Sequence, residues 1–135
     1  MFMYFPTNYV WSLSVVATLN NGGLIDEVDR ACRPVLEASQ NGDDAGTEEL
    51  YAAWKAVADR LIASAEDDEK RGRLIGAGDK FYRSSLYVSQ AERLQSPKWE
   101  GRNAAYQQSI DLLLKHVELS GTPLTKIDIP YQDTF

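Results

Sequence analysis

Cys32 and His116 are the one cysteine and the one histidine in these 135 residues, so any thiolate–imidazole chemistry must use that pair. A nucleophilic thiol needs a base in reach and surroundings that lower its pKa. Cys32 instead follows Ile25, Val28 and Ala31 at helical spacing, where a lone cysteine acts as a small core residue. No Gly-x-Ser-x-Gly occurs, so the sharp turn that exposes a hydrolase serine is missing. A single His without a Cys cluster builds no zinc site. Gly76-Ala77-Gly78 starts like a dinucleotide fingerprint, but Phe81 holds the third glycine's place and no strand precedes it. Asp67, Asp68 and Glu69 lack the loop pattern of a calcium site and read as a solvated helix end. Trp11, Trp54, Trp99 and the tyrosines could line an apolar ligand pocket, although helical spacing assigns such aromatics to a core. The sequence therefore shows no catalytic set, no metal site and no cofactor motif.

Charge and length narrow the classes further. The chain has the size of one domain with a single core. A net charge of -6 argues against a nucleic-acid surface, which needs clustered Lys and Arg. The densest basic run, Lys70-Arg71-Gly72-Arg73, directly follows Glu66-Asp67-Asp68-Glu69, so the signs cancel. One cysteine permits no internal disulfide, which fits a reducing compartment and a cytoplasmic location. The apolar N-terminus has no Lys or Arg before Arg30, so the basic region of a signal peptide is missing. Its apolar run, 10–19, falls short of the roughly 20 residues of a membrane span.

The elements follow from periodicity. Asn8 or Thr7 caps a helix over about 9–19, with Val10, Leu13 and Ala17 on one face and Trp11, Val15 and Leu19 beside it. Asn20-Asn21-Gly22-Gly23 stops it. A second helix from Leu24 buries Ile25, Val28, Ala31 and Cys32, and Pro34 breaks or kinks it near Cys32. Residues 39–46 read as a solvated loop. Thr47 caps a third helix that carries Leu50, Trp54, Val57, Ala58, Leu61, Ile62 and Ala65 inward. Gly72, Gly76 and Gly78 mark either a break or a close helix crossing.

The helix that organises the rest runs through Gly78-Asp79-Lys80-Phe81-Tyr82-Arg83-Ser84-Ser85-Leu86-Tyr87-Val88. Ala77, Phe81, Ser84, Val88 and Ala91 form one stripe, and Tyr82, Leu86 and Ser89 form a second beside it, so neighbours must cover more than one side. Pro97 opens a final helix over 99–119, with Tyr106, Ile110, Leu113 and Val117 inward. Ser120-Gly121-Thr122-Pro123 ends it. Residues 124–131 then alternate, with Ile127, Ile129 and Tyr131 on one side, as a strand does. The expected fold is all-α: an antiparallel bundle of about five helices over 1–121, followed in 122–135 by a strand with no sheet to join.

Four stretches carry a family resemblance. Phe5-Pro6-Thr7-Asn8-Tyr9-Val10-Trp11-Ser12 with Gly22-Gly23-Leu24-Ile25-Asp26-Glu27-Val28-Asp29 is one, and the helix from Trp54 is another. The third is Ala77-Gly78-Asp79-Lys80-Phe81-Tyr82-Arg83-Ser84-Ser85-Leu86-Tyr87, and Ile127-Asp128-Ile129-Pro130-Tyr131 is the fourth. In this order they resemble the N-terminal helical region of lidded α/β-hydrolases. That group includes fungal polyketide-shortening hydrolases of the yellowish-green type, 2,6-dihydroxypseudooxynicotine hydrolases and esterases related to the fermentation-respiration switch protein. The resemblance implies that 1–121 is the lid and that the strand opens a catalytic domain supplying the Ser, Asp and His. No triad residue falls on this sequence, and His116 is not the triad histidine. The implied activity is cleavage of ester or C–C bonds in acyl or polyketide-like substrates, without cofactor, and this chain alone is expected to be inactive. Tyr82, Arg83 and Tyr87 are the lid residues the resemblance brings toward substrate, set against a role in the helix–helix core.

Two other classes stay open. A stand-alone helical binding or scaffold module is one, although no second helix pair follows at the 34-residue period of tetratricopeptide arrays. A small enzyme using Cys32 or the acidic cluster is the other. No nucleic-acid or membrane partner is expected. With the lid's sheet-facing side and Ile127-Asp128-Ile129 uncovered, the isolated chain is expected to be poorly soluble or oligomeric, a homodimer included.

Overall fold

A computed structural model describes residues 2–41 and 47–130, and within these described residues there are five helices and two short 3₁₀ turns. Asn8 is the N-cap of α1 (Tyr9–Asn20), its Oδ1 accepting from the Trp11 amide at 2.9 Å. Ahead of it, Ser12 exchanges two hydrogen bonds with the Phe5 backbone (3.0 and 2.9 Å), which holds the Phe5 ring edge-on to Trp11 at 5.4 Å. The buried face of α1 is Trp11, Ser12, Ser14, Val15 and Thr18, whereas Leu13 is 44% exposed. The expected Val10–Leu13–Ala17 face is thus replaced by one carrying three hydroxyls. Those hydroxyls can be buried because Ser14 donates to Trp11 O (2.7 Å) and Thr18 to Ser14 O (2.8 Å), inside their own helix.

Asn21 and Gly22 close α1, and Gly22 takes the left-handed conformation (φ 96°) that the expected glycine stop requires. In α2 (Ile25–Cys32) the buried arc is Glu27, Val28, Ala31 and Cys32, and Ile25 is 71% exposed. Val28, Ala31 and Cys32 are thus inward as expected, and the Glu27 side chain, rather than that of Ile25, completes the buried arc. Pro34 ends α2 as expected, and the chain passes through 3₁₀ turns at Arg33–Val35 and Ala38–Asn41. The loop read over 39–46 is therefore ordered at its start, and its remainder lies outside the described residues.

Thr47 caps α3 (Glu48–Lys70), accepting from the Leu50 amide at 3.2 Å, with Glu48 and Glu49 in the first turn. Leu50, Trp54, Val57, Ala58 and Ala65 are buried, and Leu61 and Ile62 pack against them half-covered. The acidic run at its end is not simply solvated. Asp68 is buried and accepts from Arg73 Nε (2.8 Å) and Lys80 Nζ (2.6 Å), while Glu69 pairs with Lys115 at 2.6 Å. The Lys80 ammonium first, and the Arg73 guanidinium next, hold the Asp68 carboxyl below the usual carboxylate range.

Both readings of the glycines hold. Gly72 (φ 75°) breaks the chain between α3 and α4 (Leu74–Arg93), and Gly78 lies where α4 meets the end of the last helix. Ala77, Phe81, Ser84, Val88 and Ala91 are all buried, and so are Ser85, Tyr87, Gln90 and Glu92. That width of burial matches the packing of α4 against both α3 and α5. Tyr82, Leu86 and Ser89 stay half-buried.

Pro97 does not start the last helix. It sits in a turn closed by the Trp99 amide on Ser96 O (2.9 Å), and α5 begins three residues later than expected, at Arg102–Ser120. The Trp99 ring stacks edge-on to Tyr51 at 4.7 Å and covers Gly101, where a Cβ would meet the indole at 2.4 Å. The inward set of α5 is Ala105, Ser109 and Leu112, not the expected one. Tyr106 is 57% exposed, and Ile110, Leu113 and Val117 are half-buried. α5 is an edge helix that packs chiefly on α4, so it buries a narrow strip (Ala105, Ser109 and Leu112) rather than its broad apolar face.

The described residues contain no strand. Residues 122–130 lie outside any helix and are exposed, Ile127 at 71% and Ile129 at 73%, and the segment starts with a tight turn in which the Leu124 amide donates to Thr122 O at 2.8 Å. Without a partner the alternation finds no ladder to join, and Tyr131 lies outside the described residues. The observed architecture is an all-helical bundle, and among the described residues no helix is long and apolar enough to cross a membrane.

Candidate functional site

The three α4 residues singled out from the sequence diverge onto two sides of the helix. Arg83 and Tyr87, one turn apart, converge on Glu27 of α2. Arg83 donates from Nε to Glu27 Oε2 at 2.9 Å and from Nη2 to Oε1 at 3.3 Å, a side-on pair across both carboxylate oxygens. Tyr87 donates its hydroxyl proton to Glu27 Oε2 at 2.6 Å and accepts the Leu24 amide at 3.1 Å. Leu24 is the N-cap of α2 and its side chain caps nothing. Tyr87 therefore ties down the entry of that helix from another element. Burial, reinforced by the hydrogen bond to Glu27, raises the Tyr87 phenol above its ordinary pKa.

Tyr82 faces the other way. Its hydroxyl donates to Asn21 O at 2.9 Å, and its ring lies 5.2 Å from the His116 imidazole. His116 Nδ1 is 2.9 Å from Gly78 O, an acceptor only, so Nδ1 carries the proton. Beside them a cavity of about 240 Å³ opens between α4 and α5, bounded by Tyr82, Ser85, Leu86, Ser89, Ile110 and Leu113. Ser85 spends its proton on Ser109 O at 2.7 Å, which pins the floor of this cavity to both helices. The second stripe of α4 and the unburied face of α5 meet here.

Neither side assembles a reaction centre. The Glu27 carboxylate is already shared by two donors, and the Tyr87 proton is committed to it. Cys32 is fully buried, and burial raises its thiol pKa, so the nucleophilic thiolate is suppressed. His116 engages Gly78 and Tyr82 rather than a thiol. Among the described residues no three His, Cys, Asp or Glu side chains gather as metal ligands would. What the arrangement offers is a shallow apolar recess with hydroxyls at its edge, on a helix held in orientation by the Glu27 cluster.

Glu27 escaped the sequence reading, although two signs pointed to it. It lies one turn before Ala31 on the buried arc of α2, and Arg83 and Tyr87 share a face that calls for a common anion. Leu86, Ile110 and Leu113, which periodicity assigns to the core, line the recess instead.

Comparison with known protein families, with curated proteins and with solved structures finds no match to this chain. The hydrolase-lid resemblance rests on the four stretches quoted for it.

Proposed function

We propose that this helical domain is the lid of an α/β-hydrolase acting on ester or C–C bonds of acyl or polyketide-like substrates, and that it has no hydrolytic activity by itself. The observation that carries the reading is the exposed, non-helical 122–130 segment, whose alternating Ile127 and Ile129 find no cover on the bundle from which they emerge. Such a segment suits the first strand of a sheet supplied by further sequence. The apolar recess between α4 and α5 supports it as well, because a lid excludes water and shapes the acyl pocket with surface of this kind. In this reading Tyr82 lies against substrate at the rim of the recess, while Arg83 and Tyr87 fix α4 through Glu27.

Sequencing the transcript beyond the codon for Phe135 tests the proposal. The expected result is an open frame that reaches a second strand and a Gly-x-Ser-x-Gly turn. A stop codon at that point overturns it and leaves the helical binding module as the reading to pursue.

A further inference from the structure

A groove runs between α3 and the chain that leaves α2. Its larger part, about 430 Å³, has Pro34, Val35, Ala52 and Ala56 as apolar walls, Glu49 at one end, and Arg30 and Arg60 at the other. A second cavity of about 210 Å³ shares the same two arginines, so the groove continues past them. Glu49, Ala52, Ala56 and Arg60 are exposed and recur along one face of α3. Among the described residues neither the Glu49 nor the Arg60 side chain has a hydrogen bond or an ion pair, and the Arg30 side chain meets only Asp26, one turn back on α2. Glu49 and Arg60 cannot satisfy each other within one chain, because eleven residues of helix separate them by about 16 Å.

We propose that this groove is the interface of a twofold homodimer in which α3 packs antiparallel against α3 of a second copy. The charge pattern is self-complementary in one register: Glu49 of each copy reaches the Arg60 and Arg30 end of the other, and two Glu49–Arg60 pairs form. The same register sets Ala53 against Ala56 of the second copy. Side chains this small let helix axes approach to about 8 Å. An isologous contact needs this reciprocity, residue for residue. In a chain of net charge -6 like copies repel overall, so a face that places acid opposite base is where two of them can meet. The inference does not depend on the lid reading.

The test is sedimentation equilibrium on the full chain, as wild type, Glu49→Arg, Arg60→Glu and the double exchange. The wild type is expected to dimerise. Each single exchange, which sets like charges together at both ends, is expected to weaken the dimer by about tenfold or more, and the double exchange to restore it. Rescue has no explanation within one chain, given the separation of the two positions. A wild type that stays monomeric up to about 1 mM, single variants that associate like wild type, or a double variant no better than the singles would each overturn the proposal. Both sites are exposed, so folding should be unaffected. Oxidative cross-linking of an Ala53→Cys and Ala56→Cys mixture gives a second readout, since Cys32 is buried. Cross-links in the mixture and not with Ala53→Cys alone are expected, and their absence counts against the interface.

Discussion

Tyr87 Oη and Glu27 Oε2 lie 2.6 Å apart and join α4 to α2 across 60 positions of sequence. Around this contact the Arg83 guanidinium and the Leu24 amide complete a cluster in which every polar group has a partner. Tyr87→Phe keeps the ring, which sits 5.7 Å from Trp54, and removes only the hydroxyl. The Leu24 amide then loses its acceptor and Glu27 a donor, a loss of about 1–3 kcal/mol. Arg83→Ala leaves the buried carboxylate without its cation and costs about 3 kcal/mol or more. Urea unfolding checks both: the midpoint should fall at constant slope, further for Arg83→Ala.

Stability should narrow from both ends of the pH range. Tyr4 and Tyr87 have raised phenol pKa values, in each case from burial first and then from a hydrogen bond to a carboxylate (Asp29 and Glu27). Their contribution is present in full below about pH 10, the unfolded value, and is lost as pH rises toward the folded values, because the unfolded chain releases those protons first. Asp29 and Asp68 have lowered values, Asp29 chiefly from the Tyr4 hydroxyl and Asp68 chiefly from Lys80. Their contribution is present above about pH 4 and is lost as pH falls through the folded values. Thermal melts across pH should show both declines. Asp68→Asn should flatten the acid limb, and an unchanged limb would remove Asp68 from this account.

Two glycines should respond in opposite ways to alanine. At Gly78, inside α4, an added Cβ would meet Leu119 Cβ at 3.5 Å, an ordinary contact. Gly78→Ala is therefore expected to stabilise by up to about 1 kcal/mol through helix propensity. Gly22 has φ 96° with the Tyr82 ring 3.4 Å from the place a Cβ would take. Gly22→Ala is expected to destabilise by about 1–2 kcal/mol. Calorimetric Tm values for the pair decide the matter, and a fall for Gly78→Ala would show that the α4–α5 crossing does not tolerate the methyl.

The contrast between α4 and α5 shows what the sequence could reveal. α4 is covered from several sides, so its Ala77–Phe81–Ser84–Val88–Ala91 period and its burial coincide. α5 has as clear a period in Tyr106, Ile110, Leu113 and Val117, yet it turns Ala105, Ser109 and Leu112 inward, the one strip that meets its chief neighbour α4. Periodicity cannot report how many neighbours a helix has. It also missed Glu27 and Asp68, whose burial depends on cations brought from Arg83, Arg73 and Lys80 by the fold. Caps and stops at Asn8, Gly22, Pro34 and Thr47 were legible because their physics is local. The recess beside Tyr82 was only half legible: its α4 wall was visible as a second stripe, whereas its α5 wall depended on the rotation of an edge helix.

That edge position gives α5 a separate place in the energy landscape. Held chiefly by one neighbour through a narrow buried strip, it is the outer leaf of the stack, and opening it would leave α4 on α3 with the Glu27 cluster intact. Its amides should exchange with solvent deuterium through partial openings that cost less than global unfolding, while those of α4 wait for the whole domain.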